Sequence, residues 1–112
     1  EQRLYSRRLD VAGTLDQFGF GTFAPRPGLL DIKSGAELPS HSVQTCAYCM
    51  LARDSDLSPA WRTSLYLDDA GRYRIRKILK PIDPENQAVF LACLARFRWI
   101  VKHHHNGVVP CK

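Results

Sequence analysis

The segment Asp83-Pro84-Glu85 can begin little other than a helix. Aspartate offers a carboxylate oxygen to the unpaired N–H groups of a helix start, proline is pre-set for the first helical position, and glutamate complements the positive end of the dipole. Beyond it, Phe90, Leu94, Phe97 and Val101 recur at helical spacing, and Val89, Cys93 and Ile100 widen the stripe. The pattern predicts one helix from Pro84 to about His103, stopped by Asn106-Gly107 and fit to be the central helix of a core. The longest apolar run, Ala88 to Ala95, is far short of the ~20 residues that a membrane-spanning helix needs. The length of 112 residues gives room for one small domain, not for separate cofactor and substrate domains.

Charge is distributed unevenly. Up to Asp56 there are six basic and seven acidic residues; beyond it there are ten basic and four acidic. The whole net charge of +5 therefore resides in the second half, which points to an acidic partner there, nucleic acid being the commonest. The densest stretch is Arg72-Tyr73-Arg74-Ile75-Arg76-Lys77-Ile78-Leu79-Lys80. As a strand it would place Arg72, Arg74 and Arg76 on one face; as a helical turn it would align Arg72, Arg76 and Lys80. Either way several cations share a face with no carboxylate in the stretch itself, an arrangement that phosphates would relieve.

Upstream, Gly19 to Gly28 is punctuated by glycine and proline and keeps no helical period, so residues 1–45 read as an extended N-terminal arm. Phe18, Phe20 and Phe23 are too apolar for a free linker, and the arm is expected to lie along a partner or its own domain. Residues 46–112 then form a small helical domain. Within it, Pro59 fits the first turn of a short helix capped by Ser58. Trp61, Leu65 and Tyr66 would be its buried stripe and Gly71 its left-handed end.

Cys46-Ala47-Tyr48-Cys49 admits three readings: a redox pair, half of a tetrahedral metal site, or plain buried thiols. The first lacks the parallel strands it needs downstream. The second needs further donors, for which Cys93, Cys111, His41 and the run His103-His104-His105 are available. Four cysteines in a short chain also fit two disulfides in a secreted protein-binding domain. The sequence holds no nucleophile elbow, zinc-protease helix or phosphate-binding glycine loop, so no enzyme is expected.

The order of these features is informative. A C-x-x-C is followed by a short helix, Gly71-Arg72-Tyr73, a basic stretch, Gln87, an apolar helix bearing Arg96-Phe97-Arg98, and the end Gly107-Val108-Val109-Pro110. Over roughly residues 46–110 this resembles the bacterial-type small-subunit ribosomal protein S-eighteen family, especially its mitochondrial forms. The resemblance implies a mostly α fold: a small three-helix, helix-turn-helix-like domain with a long arm. It implies a structural, non-enzymatic constituent of the mitochondrial ribosome in the matrix. Such a protein would bind small-subunit ribosomal RNA and pack against the S-six homologue and other small-subunit proteins, with no membrane involved. Arg72, Arg74, Arg76, Lys77, Lys80, Arg96, Arg98 and Lys102 would neutralise RNA phosphates. Zinc or an iron–sulfur cluster would sit on Cys46 and Cys49, with Cys111, a nearby histidine or a ligand from a partner chain completing the site.

Overall fold

The computed structural model describes residues 2–21 and 24–104. Among these residues the fold is α/β, with strands in two sheets and two helices. This overturns the mostly α, three-helix expectation. Strands β1 (Gln2–Ser6) and β2 (Val11–Leu15) form an antiparallel hairpin. After a bend at Asp16 the chain continues as β3 (Gln17–Gly21), then returns as β4 (Ala24–Ser34). Helix α1 (Pro39–Asp54) crosses over to β5 (Arg62–Leu67), which pairs parallel to β4. Strand β6 (Tyr73–Ile78) closes the sheet antiparallel to β5, giving the order β3-β4-β5-β6, and α2 (Pro84–Lys102) comes last. The stretch 1–45, read as an arm, thus supplies four strands and the first turns of α1.

Helix α1, not α2, lies at the centre. Its buried residues include Cys46, Cys49, Leu51 and Ala52, and the last three share one core with Leu4 and Leu15 of the hairpin and Leu29 of β4. Phe18 joins this core, whereas Phe20 is exposed; Phe23 lies outside the described residues. Helix α2 starts where the sequence places it, with Asp83 accepting from the Asn86 N–H at 2.8 Å. The expectation of a central core helix fails, however. None of its residues is buried, and Phe97, Trp99 and Val101 are open to solvent. It packs on α1 from outside, because α1 and the sheets already satisfy each other's apolar surface.

The short helix expected after Pro59 is strand β5. The spacing of Trp61, Leu65 and Tyr66 suggested a helical stripe, but period two governs here: Arg62, Ser64 and Tyr66 face α1, and all three are buried. Polar residues on the covered face invert the usual signal, so the alternation is easily missed. Gly71 takes a positive φ of 78°, not at a helix end but in the β5–β6 turn. There the Asp68 carboxylate accepts from the N–H groups of Ala70 and Arg72, each at 2.9 Å.

Candidate active site

Strand alternation puts Leu29, Asp31 and Lys33 of β4 on the face covered by α1. Leu29 is core, while Asp31 and Lys33 stand at the carboxyl end of the strand, where it leaves for the crossover helix. In open α/β sheets that end is where ligands bind. Asp16, at the bend between β2 and β3, is carried beside them by the β3–β4 hairpin, and its carboxylate accepts from the Ile32 N–H at 2.7 Å. Two carboxylates from different parts of the sheet therefore converge.

Asp31 is 5% exposed. Its Oδ2 lies 2.9 Å from the Lys33 ammonium, yet it takes part in no directed hydrogen bond. Burial raises its pKa above the usual carboxylate range; the Lys33 ammonium pulls it down, and the Asp16 carboxyl beside it pushes it up again. Lys33 is positioned in turn from α1: its Nζ donates to Gln44 Oε1 at 2.5 Å, and Gln44 Nε2 donates to the Tyr48 hydroxyl at 3.2 Å. Gln44 and Tyr48 are neighbours on one helix face at i, i+4. The result is a buried carboxylate, a second one next to it, and an ammonium held in place by a helix.

Sequence reasoning missed this group. The legible signal was Asp31-Ile32-Lys33 closing an apolar run, with Gln44 and Tyr48 one helical turn apart just downstream. Asp16 carried none, since only the hairpin brings it near Asp31.

The residues singled out from the sequence are scattered over several elements. Cys46 and Cys49 are free thiols, both fully buried on α1, and Cys111 lies outside the described residues, as does His105. Burial pushes both thiols up, Cys49 to about 12, so both are neutral in the fold. Cys93 is exposed on α2. The basic stretch is β6, so the strand alternative holds, and Arg74 and Arg76 share the α1 face. They are not without carboxylates, as the stretch by itself suggested: Glu37, distant in sequence, lies 3.7 Å from Arg74 and 3.3 Å from Arg76. Arg72 pairs with Asp68 at 3.0 Å, and Lys77 and Lys80 are exposed. Arg96, Arg98 and Lys102 are on α2, apart from β6, and Arg98 donates to the Leu9 carbonyl.

No protein-family model matches this chain, and no curated protein does. Among solved structures, that of SSO0001 is similar over 88% of this chain, with a TM-score of 0.53 and 16% identity. The chain spans 44% of that protein's length. At this identity the likeness shows the shared α/β fold alone.

Proposed function

We propose that this chain carries the active site of a divalent-cation-dependent phosphodiesterase that acts on nucleic acid. One observation carries the reading: Asp16 and Asp31 converge beside Lys33 at the carboxyl end of β4, with the buried Asp31 Oδ2 facing the Lys33 ammonium at 2.9 Å. Burying Asp31 beside a second carboxylate is costly, and its raised pKa registers that cost. A cation between the carboxylates would offset it. The donor set is hard oxygen, which suits Mg2+ or Mn2+, and Mg2+ commonly takes only one or two carboxylates beside substrate phosphate.

The cation would supply Lewis acidity toward a phosphoryl oxygen and an acidified water. The chain's own residues do the rest. Asp16 and Asp31 fix the charge at one point of the sheet. Lys33, steered by Gln44, presents an ammonium where negative charge grows on the phosphorus oxygens. In the balanced reaction a water oxygen bonds to phosphorus and one ester P–O bond breaks. The departing oxygen gains the proton that the water releases through solvent. Phosphate rather than another electrophile is favoured by the arginines of β6, which share the same sheet face.

The ribosomal reading also invokes a polyanion, and the basic strand favours it to that extent. It gives no account of Asp16, Asp31 and Lys33 standing together, and the three-helix fold it implies is not the one observed. The test is cleavage of an end-labelled oligonucleotide in Mg2+ or Mn2+. Turnover should vanish in EDTA and in Asp31→Asn, and fall by about 10²–10³ in Lys33→Ala. A folded wild-type chain that neither cleaves nor gains thermal stability from either cation would overturn the proposal. RNA binding without cleavage would favour the structural role instead.

A further inference from the structure

The sheet register extends the site sideways. Asp31 lies opposite Ser64, which lies opposite Arg76; Lys33 lies opposite Tyr66, which lies opposite Arg74. Directly opposed residues point to the same face, so two parallel rows run from the carboxylates to the arginines. Two inter-strand steps of ~4.8 Å make each row ~10 Å long. A row of that length reaches from one backbone phosphate to the next one or two of the same strand.

A cleft of about 610 Å³ lies over the β5 and β6 part of these rows, between the first turn of α1 and strands β5 and β6, and Ser64 and Tyr66, which line it, are the register neighbours of Asp31 and Lys33. Glu37, Leu38, Ser42, Ser64, Tyr66 and Arg76 line it. A second hollow of about 320 Å³, bounded by Glu37, Tyr66, Arg74 and Arg76, continues along the same strands. Clefts of this size take a ligand as large as one or two nucleotides. Charge fits the same occupant. Arg74 and Arg76 share the one carboxylate of Glu37, so a positive charge is left over, and both side chains are about two-thirds exposed (65% and 67%). Arg74 is further ordered over the Tyr66 ring, 5.4 Å from its centroid. Leu38 and Ile78 give the cleft apolar walls on which a base can rest.

We propose that this cleft seats single-stranded polynucleotide on one side of the scissile phosphate. Arg74 and Arg76 take successive backbone phosphates, and a base lies between Leu38 and Ile78. The inference rests on the phosphodiesterase reading for its direction, but its test does not require turnover. Binding of labelled oligodeoxythymidylate and oligouridylate of about 12 nucleotides is measured by anisotropy in EDTA across a salt series. Arg74→Gln/Arg76→Gln should weaken both by at least tenfold and lower the slope of log K against log salt by about 1.4, two contacts at ~0.7 each. Arg74→Lys/Arg76→Lys, which keeps the charges, should regain most of that slope. An unchanged slope in the glutamine variant, or a duplex bound as tightly as the single strand, overturns the cleft assignment even if cleavage persists. A lowered slope with no cleavage by the wild type upholds the cleft and removes the phosphodiesterase.

Discussion

Arg62 is the side chain whose loss should cost this fold most. Its guanidinium is 1% exposed and touches three elements at once. It donates to the Lys80 carbonyl at 3.1 Å, to the Ser42 carbonyl at 2.5 Å, to Thr45 Oγ1 at 2.9 Å and to Asp83 Oδ2 at 2.5 Å. β5, α1 and the start of α2 are thereby tied together. Arg62→Met fills much of the volume but removes the cation facing Asp83 and the donor to the Lys80 carbonyl. Breaking a buried pair costs about 3–5 kcal/mol. Asp83 keeps its bonds from Asn86 and is 20% exposed, which favours the lower end; the lost carbonyl bond adds about 1 kcal/mol. A loss of about 4 kcal/mol is a large part of the roughly 5–15 kcal/mol that holds such a domain. With a urea slope of about 2 kcal/mol per molar, the unfolding midpoint should fall by about 2 M. The loss also carries a pH signature. Hydrogen bonds from Asn86, and then the Arg62 charge, hold the Asp83 carboxyl below its ordinary value. The stability this carboxylate contributes is present above the unfolded pKa of about 3.9 and is lost as pH falls through the lower folded value. The gap between wild type and Arg62→Met should therefore narrow on acidification below about pH 4. A midpoint shift worth less than about 1 kcal/mol at neutral pH would refute the idea that Arg62 organises the packing of α2.

Single contacts elsewhere in the fold have consequences of their own. Asp31→Asn should raise thermal stability at neutral pH while abolishing cleavage. The folded-state pKa of Asp31 is raised, so its stabilising share is whole below the unfolded value and disappears as pH climbs through the folded one. The advantage of the variant should accordingly shrink below about pH 4, read by melting temperature against pH. Gly28→Ala should destabilise by at least about 1–3 kcal/mol in urea titrations, because its new Cβ would lie 2.1 Å from the Trp61 ring, which is pinned through its indole N–H to the Arg26 carbonyl. In the folded chain, Cys93 should be labelled quickly by a thiol reagent, and Cys46 and Cys49 only on unfolding, as mass mapping would show. Equal labelling rates at all three would mean that α1 does not bury its thiols.

Some of this protein was settled by local chemistry. The start of α2 was legible because an N-cap, a proline and a first-turn glutamate act within one turn, whatever surrounds them. Its extent was legible from the apolar period that runs to Val101, while the expected stop at Asn106-Gly107 lies outside the described residues; the option of a strand for the basic segment was legible too. Its place was not: an apolar stripe says that a helix can be buried, not that it will be, and α1 occupies the centre instead. Strand β5 was hidden because Arg62 and Ser64 point inward, and a polar residue becomes a core residue only when a specific partner such as Asp83 or Thr45 meets it. The group of Asp16, Asp31 and Lys33 proposed as catalytic is the extreme case. Asp16 and Asp31 are ordinary acids in the sequence, and Lys33 an ordinary base. What makes them a site is the hairpin that sets one carboxylate beside the other and the helix that removes Asp31 from water. Local sequence fixes conformations that depend on a few adjacent residues. Proximity of charges, and the burial that changes their chemistry, belongs to contacts between segments far apart in the chain.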